Sequence, residues 1–182
     1  MPDVPECPTI LAGDIPDAAD WQDVKAAIDF GQHGPGFRLR QTSTQTLTTS
    51  VWTSLTYTVE DLDDDPDGTG GHSTSVNTSR FTARYTGWYP VGGVAGFAAN
   101  ATGGRMTRWA INGTALNASC TLMPSAGAGN STHCAANADR VFLTEGDYLE
   151  LQGLQASGGN LATIATGEFA SSMNGHWERR AA

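Results

Sequence analysis

The sequence predicts an all-β fold, an antiparallel sandwich or jelly roll, preceded by a short helical segment. Three observations predict it. Apolar and polar side chains alternate with period two through several stretches. Turn sequences recur at intervals of about 8–15 residues. The composition also suits strands and turns: 39% of residues are hydrophobic and only 16% charged, so Thr, Ser, Asn and Gly must cover much of the surface. At 182 residues the chain is one domain, or one domain with an appendage.

Residues 1–36 stand apart and hold five of the eight prolines. Asp17 can cap a helix with Asp20 at its N3 position, and Ile15 can pack near Trp21. Trp21, Val24 and Ile28 then fall on one face of a helix over about 17–30 that ends before Gly31. This stripe is expected to dock on a partner or on other copies of the chain. The alternative is packing back onto its own domain. Gly31–Gly36 reads as a linker or sharp turn.

From 37 to 182 the pattern is strands. Leu55, Tyr57 and Val59 alternate with Ser54, Thr56, Thr58 and Glu60; Phe81, Ala83 and Tyr85 alternate likewise. Tyr89, Val91, Gly93, Ala95 and Phe97 share a face of a long strand whose glycines at 92, 93 and 96 signal close backbone approach or a bulge. Arg105–Ile111 runs into Asn112-Gly113, a strong hairpin signal because type I′ turns need positive φ at both positions. Val141–Leu143 and Tyr148–Leu151, around a Thr-Glu-Gly-Asp turn, read as a second hairpin. Ser157–Asn160 turns into Leu161–Ala165, and Phe169–Trp177 can close the sheet.

Charge and targeting signals exclude several classes. The net charge is −9 with a pI near 4.6, and Lys25 is the one lysine. Such a surface repels phosphate backbones, which argues against nucleic-acid binding. No basic and apolar leader follows Met1, and no apolar run reaches the roughly 20 residues a membrane span needs. The expectation is a protein made in the cytosol. Five Asn-x-Ser/Thr sequons read as composition in so Asn- and Thr-rich a chain. Cys120 and Cys134 flank a loop, and two readings stand: a disulfide across neighbouring strands, or two free thiols.

Catalytic patterns are missing. His33, His72, His133 and His176 show no zinc-ligand spacing. There is no nucleophile elbow, phosphate loop or dinucleotide fingerprint. Glu145 and Asp147 are explained by their tight turn better than by paired acid–base chemistry. The sequence thus points away from an enzyme.

The order of signals resembles C1q/TNF-like jelly rolls. Phe81-Thr-Ala-Arg-Tyr85-Thr-Gly87-Trp88-Tyr89 is similar to that family's Phe, Gly and Tyr core motif. Gly104-Arg105, the Asn112-Gly113 hairpin and the Gly146-Asp147 turn within Val141–Leu151 follow in the family's order, over about residues 37–180. The chain looks most like C1q-like virion proteins of tailed phages of actinobacteria, usually labelled minor tail or structural proteins, which begin with a comparable short helix. His72-Ser-Thr-Ser-Val-Asn77 lacks the Asp that commonly follows the family's His, and the Trp177-Glu-Arg-Arg end is less apolar than the usual last strand.

The resemblance implies a ten-stranded, trimeric jelly roll on the virion, attached to other virion proteins through residues 1–36. Trp52, Tyr85, Trp88, Trp109 and Trp177 are candidates for the threefold axis; ordinary core is the alternative for each. A minor tail or tail-tip role would bring the loops to a host cell-surface glycan or protein. A capsid decoration or head spike is the alternative, and a cellular C1q-like adhesin a remote one.

One segment invites a metal reading. Asp63, Asp65 and Asp67 alternate into Gly68, as an EF-hand calcium loop begins. The twelfth position, where the bidentate Glu belongs, is Thr74, and Pro66 stiffens the loop. A weak calcium site over 61–68 and a solvated Asp-Pro-Asp-Gly turn are the two readings of an apical loop.

Overall fold

The computed structural model describes residues 4–66, 68–127, 129–137 and 140–180. In chain order its elements are helix α1 (Ala18–Gln32) and strands β1 (Gly36–Arg40), β2 (Thr46–Leu47), β3 (Thr53–Ser54), β4 (Val59–Asp64), β5 (Arg80–Thr82), β6 (Gly87–Phe97) and β7 (Gly104–Ile111). There follow β8 (Thr114–Ala115), β9 (Thr121–Pro124), β10 (Thr132–Ala135), β11 (Arg140–Leu143), β12 (Tyr148–Gln155), β13 (Leu161–Ala162), a short 3-10 turn at Gly167–Phe169 and β14 (Ser172–His176). The all-β, antiparallel jelly roll expected from the sequence is present, with the strands divided into short segments.

Among the described residues there are two six-stranded sheets and a small β13–β2 ribbon. The first sheet runs β10-β6-β14-β1-β4, with β11 also on β6; the second runs β3-β12-β7-β8, with β5 on β12 and β9 on β7. Their inner faces meet in one apolar core of Phe37, Leu39, Leu55, Tyr57, Phe81, Tyr89, Phe97, Trp109, Leu149, Leu151 and Met173, among others. Phe37 and Phe81 stack at 3.9 Å. The alternation in the sequence is thus a true record of which side chains point inward.

Close approach is made by small residues in β6. A Cβ at Gly93 would lie 2.8 Å from Trp109 Cη2 and 2.9 Å from Leu151 Cδ2. One at Gly87 would collide with Trp177 Nε1 and sit 2.6 Å from the Arg179 carbonyl. At the hairpin, Asn112 and Gly113 have φ of 51° and 76°, as a type I′ turn demands. Buried Arg105 donates to the carbonyls of Asn100 (3.1 Å), Thr102 (3.0 Å) and Gly104 (3.0 Å), tying down the loop before β7. Burial pulls its pKa below the usual value.

Three expectations change. Val141–Leu143 and Tyr148–Leu151 do not pair with each other: β11 lies on β6 and β12 on β7, so the turn between them is a corner from one sheet to the other. It is held by Gly146 N–H to the Ala83 carbonyl and Ala83 N–H to the Asp147 carbonyl, both at 2.8 Å. The acidic stretch is only partly a loop. Asp61–Asp64 belong to β4 and pair with β1, and a bulge at Asp61 turns its carboxylate onto Arg40 at 2.8 Å. Leu55–Thr58 carry no strand ladder, although Leu55 and Tyr57 are fully buried.

The helix changes most. Asp17 and Asp20 form the expected capping box, and α1 runs through Gly31 to Gln32. Ile15, however, is exposed, and so are Trp21 (61%) and Ile28 (53%). The helix docks instead through buried Phe30, whose ring lies 4.9 Å from both Tyr85 and Trp177. Phe30 is nine residues after Trp21, which at about 3.6 residues per turn is half a turn away. The helix therefore packs back on its own domain with the face opposite the stripe.

Two outcomes test this packing. Gly87→Ala should lower unfolding stability by about 1–3 kcal/mol through overpacking against Trp177; an unchanged midpoint in chemical denaturation would refute the contact. Phe30→Ala should raise amide exchange across residues 18–32 by about tenfold or more while leaving the strands protected. Equal protection in variant and parent would show that α1 is held by something else.

Candidate functional site

The outer face of the first sheet is the surface that its own fold leaves uncovered. Phe37 and Leu39 point inward from β1, so Arg38 and Arg40 point out; Asn174 and His176 point out from β14. On β6 the outward positions are Trp88, Pro90, Gly92 and Val94, alternating with inward Tyr89, Val91, Gly93 and Ala95. Trp88 and Phe142 of β11 are directly opposite and meet edge-on at 5.3 Å. Phe142 remains 37% exposed. Across β4, β1, β14 and β6, Leu62, Arg38, Asn174 and Gly92 stand in one row, because Arg38 pairs with both Leu62 and Asn174, and Asn174 with Gly92.

The Asn174 amide leans over Gly92, where a Cβ would lie 2.7 Å from its Oδ1. Around this row runs an open groove of about 520 Å³, lined by Pro90, Gly92, Gly175, Leu62, Arg38 and His176 among others. Charge sits around it: Asp61 bonds Arg40, and Arg140 Nε lies 2.7 Å from Glu178. The face is mixed: Trp88 and Phe142 stand at its β6–β11 edge and Leu62 on the opposite edge strand, with polar Arg38, Asn174 and His176 on the central strands, a mixture of apolar and polar groups that suits a protein interface.

The five candidate axis aromatics separate. Trp109 is fully buried core, and Tyr85 is buried under Phe30. Trp177 is half-buried at the same end, its Nε1 donating to the Thr86 carbonyl at 3.2 Å. Trp52 lies on the second sheet's outer side, 4.0 Å beneath the Arg108 guanidinium. Only Trp88 faces out of the first sheet. Phe142 and Leu62 share that face; Phe142 is hidden in the apolar run Val141–Leu143 and Leu62 is a single apolar residue among aspartates, so neither gives a separate signal in the sequence.

The motif residues are structural. Phe81 and Tyr89 are core, and the Tyr89 hydroxyl donates to the Tyr85 carbonyl at 2.7 Å. Burial pushes both the Tyr89 and Tyr57 phenols up. Asn112 Nδ2 donates to Asp147 Oδ1 at 2.7 Å, while Asp147 Oδ2 accepts from Thr144 N–H at 2.7 Å. The Asn-Gly and Gly-Asp turns are therefore clasped together across 35 residues.

The remaining candidates are not assembled into a centre. Cys120 is exposed and Cys134 buried in β10, and both are free thiols, which corrects the disulfide reading. Cys134 instead donates to the Thr121 carbonyl at 3.3 Å, and burial pushes its thiol up. Asp63 accepts from the Gly71 and His72 N–H groups, each at 2.9 Å. Asp65 is buried, and Asp67 lies outside the described residues. Among the described residues, no group of three or more His, Cys, Asp or Glu is placed to hold a metal ion. No helix among them is long and apolar enough to cross a membrane.

No family model and no curated protein matches the chain. Solved structures do. The structure of Eiger TNF from S. frugiperda aligns at a TM-score of 0.58, covering 81% of this chain and 96% of that one at 13% identity. Murine APRIL, crystallised at pH 8.5, aligns at 0.56, covering 78% and 98% at 11% identity. At such identities the likeness shows the fold: this chain is built as a TNF-like jelly roll.

Proposed function

We propose that the chain is a non-enzymatic phage virion protein, a homotrimeric C1q/TNF-like module carried on the particle by residues 1–36. As a minor tail or tail-tip protein it would present its loops to the host surface. The observation that carries this reading is a pair of separate surfaces that expose apolar side chains. One is the Trp88–Phe142 face of the first sheet with its groove. The other is the Trp21–Ile28 side of α1, turned away from the domain that Phe30 grips. The sandwich closes its core without either one. A head that joins its own copies and an anchor that joins something else needs both. Closed threefold symmetry lets three copies cover the sheet face without leaving a free one. The virion setting rests on the resemblance of the sequence to phage structural proteins.

Capsid decoration is the second reading, and one observation favours it. The segments 61–80, 98–104 and 121–138 contain no Trp, Tyr or Phe on which a sugar ring could stack.

Light scattering on the eluting protein should give three times the 19.1 kDa chain mass. Trp88→Glu combined with Phe142→Glu should yield a folded monomer at micromolar concentration. A parent that elutes as a monomer, or a double variant that stays trimeric, would sink the assembly. Trp21→Ser with Ile28→Ser should leave the trimer intact but absent from particles. Antibody labelling of virions places the protein on tail or head, and particles from the producing host without label would remove the virion reading.

A further inference from the structure

A second concave site lies away from the sheet face. Residues 70–77 fold over β5 and enclose a polar pocket of about 370 Å³, which reaches from Gly70 to Arg84. That volume suits a small molecule of sugar size. The chain carries −9 overall and only ten Lys and Arg residues, yet two of them, Arg80 and Arg84, line this one pocket.

Arg80 is held as a binding residue would be. Its guanidinium carbon lies 4.0 Å over the Tyr148 ring, its carbonyl accepts from His72 Nδ1 at 2.8 Å, and its N–H donates to the Asn77 carbonyl at 3.2 Å. Among the described residues Arg80 Nε is buried without an acceptor. Glu150, its cross-strand neighbour, turns Oε1 to Ser79 Oγ, from which it accepts at 2.7 Å. Beside Arg80 the wall offers neutral donors. Ser73 Oγ accepts from the N–H groups of Ser75 (3.3 Å) and Val76 (3.2 Å) and lies 3.3 Å from Ser75 Oγ, a pair in which either hydroxyl can donate and the other proton can turn to a ligand. The Asn77 side chain also lines the pocket. Arg84 has interactions of its own and adds positive charge to the rim.

The same wall limits the charge of what fits. Asp63 sits behind it and takes the Gly71 and His72 N–H groups, so those amides are not available to a phosphate. A dianion would also face that carboxylate, whereas a single charge spread over two oxygens matches one oriented guanidinium.

We propose that this pocket binds a small carboxylate, with Arg80 as the charge-pairing residue and Ser73 and Asn77 orienting the group. The carboxyl of an acidic sugar and that of a free organic acid share this chemistry. The site lies on loop 70–77 and β5, on the second sheet, apart from the Trp88–Phe142 face.

The test is titration of the nitrogen-labelled full chain, followed in amide correlation spectra, with sodium glucuronate, acetate, inorganic phosphate and glucose as probes. Glucuronate and acetate should shift the signals of Gly70–Ser73 and Asn77, and glucose should not. Glucuronate binding more tightly than acetate assigns the acidic sugar; equal affinities assign the carboxyl group alone. Arg80→Gln should weaken glucuronate binding about tenfold or more at an unchanged melting temperature, since it removes a charge-assisted bond. If Arg80→Gln unfolds the protein, Ser73→Ala should weaken the same titration several-fold. Shifts from glucose equal to those from glucuronate, tighter binding of phosphate, silence of these amides, or undiminished binding by both variants would overturn the proposal.

Discussion

Trp109 of β7 lies against Gly93 of β6 where the two sheets face each other, and much of the molecule depends on that strand. Trp109 is the largest fully buried side chain, and it fits because β6 offers backbone there instead of a side chain. β6 also carries hydrogen bonds on both edges, to β14 along one and to β11 and β10 along the other. At its start Gly87 admits the Trp177 indole. Trp177 in turn gives Phe30 a ring to pack on, and Phe30 sets the position of α1. The position of the N-terminal helix is thus inherited from small residues in the middle of the chain.

The corners are fixed by polar clasps rather than by apolar packing. Asn112 and Asp147 belong to turns that look independent in the sequence, yet their side chains bond each other. Tyr148 N–H donates to Asn112 Oδ1, and Asn112 N–H to the Tyr148 carbonyl, both at 2.9 Å. Both polar atoms of the Asn112 side chain and both oxygens of Asp147 have a partner within the fold. Asp147 thus has a structural role: one oxygen accepts from the Asn112 amide and the other from the Thr144 N–H.

Much of this was legible in the sequence, for reasons that also mark where legibility stopped. Period-two alternation reports the side of the sheet, so it marks Leu55, Tyr57, Phe81, Tyr89 and Phe97 as inward, where the fold buries them. It does not report the partner strand. A Gly-Asp turn reverses the chain equally well within one sheet or between two, and the crossing at Glu145–Asp147 is decided by bonds to Ala83, some sixty residues earlier. The helix was readable from its capping box and periodicity, but the side that docks was not. One aromatic ring, Phe30, outweighs the three-residue stripe because two other rings wait for it at the end of the sandwich. The pocket at Arg80 was invisible because its parts lie in a loop, a strand and a distant tyrosine.

The acidic segment shows how one composition can be put to several uses. Five aspartates between 61 and 67 look like a shared charge problem awaiting a cation. In the fold the segment is divided up. Asp61 leaves the ladder at a bulge and meets the arginines of β1, at 2.8 Å for Arg40 and 3.9 Å for Arg38. Asp63 closes the turn at Gly71 and His72. A cation drawing Asp63 away would strip two N–H groups of their acceptor, at about 1–3 kcal/mol for each one buried. The same movement would loosen the Gly70–His72 wall beside Arg80. Those costs weigh against a calcium site built on Asp63. They also link the two features of this end of the molecule: the carboxylate that resembles a metal ligand is what shapes the wall of a pocket suited to an anion.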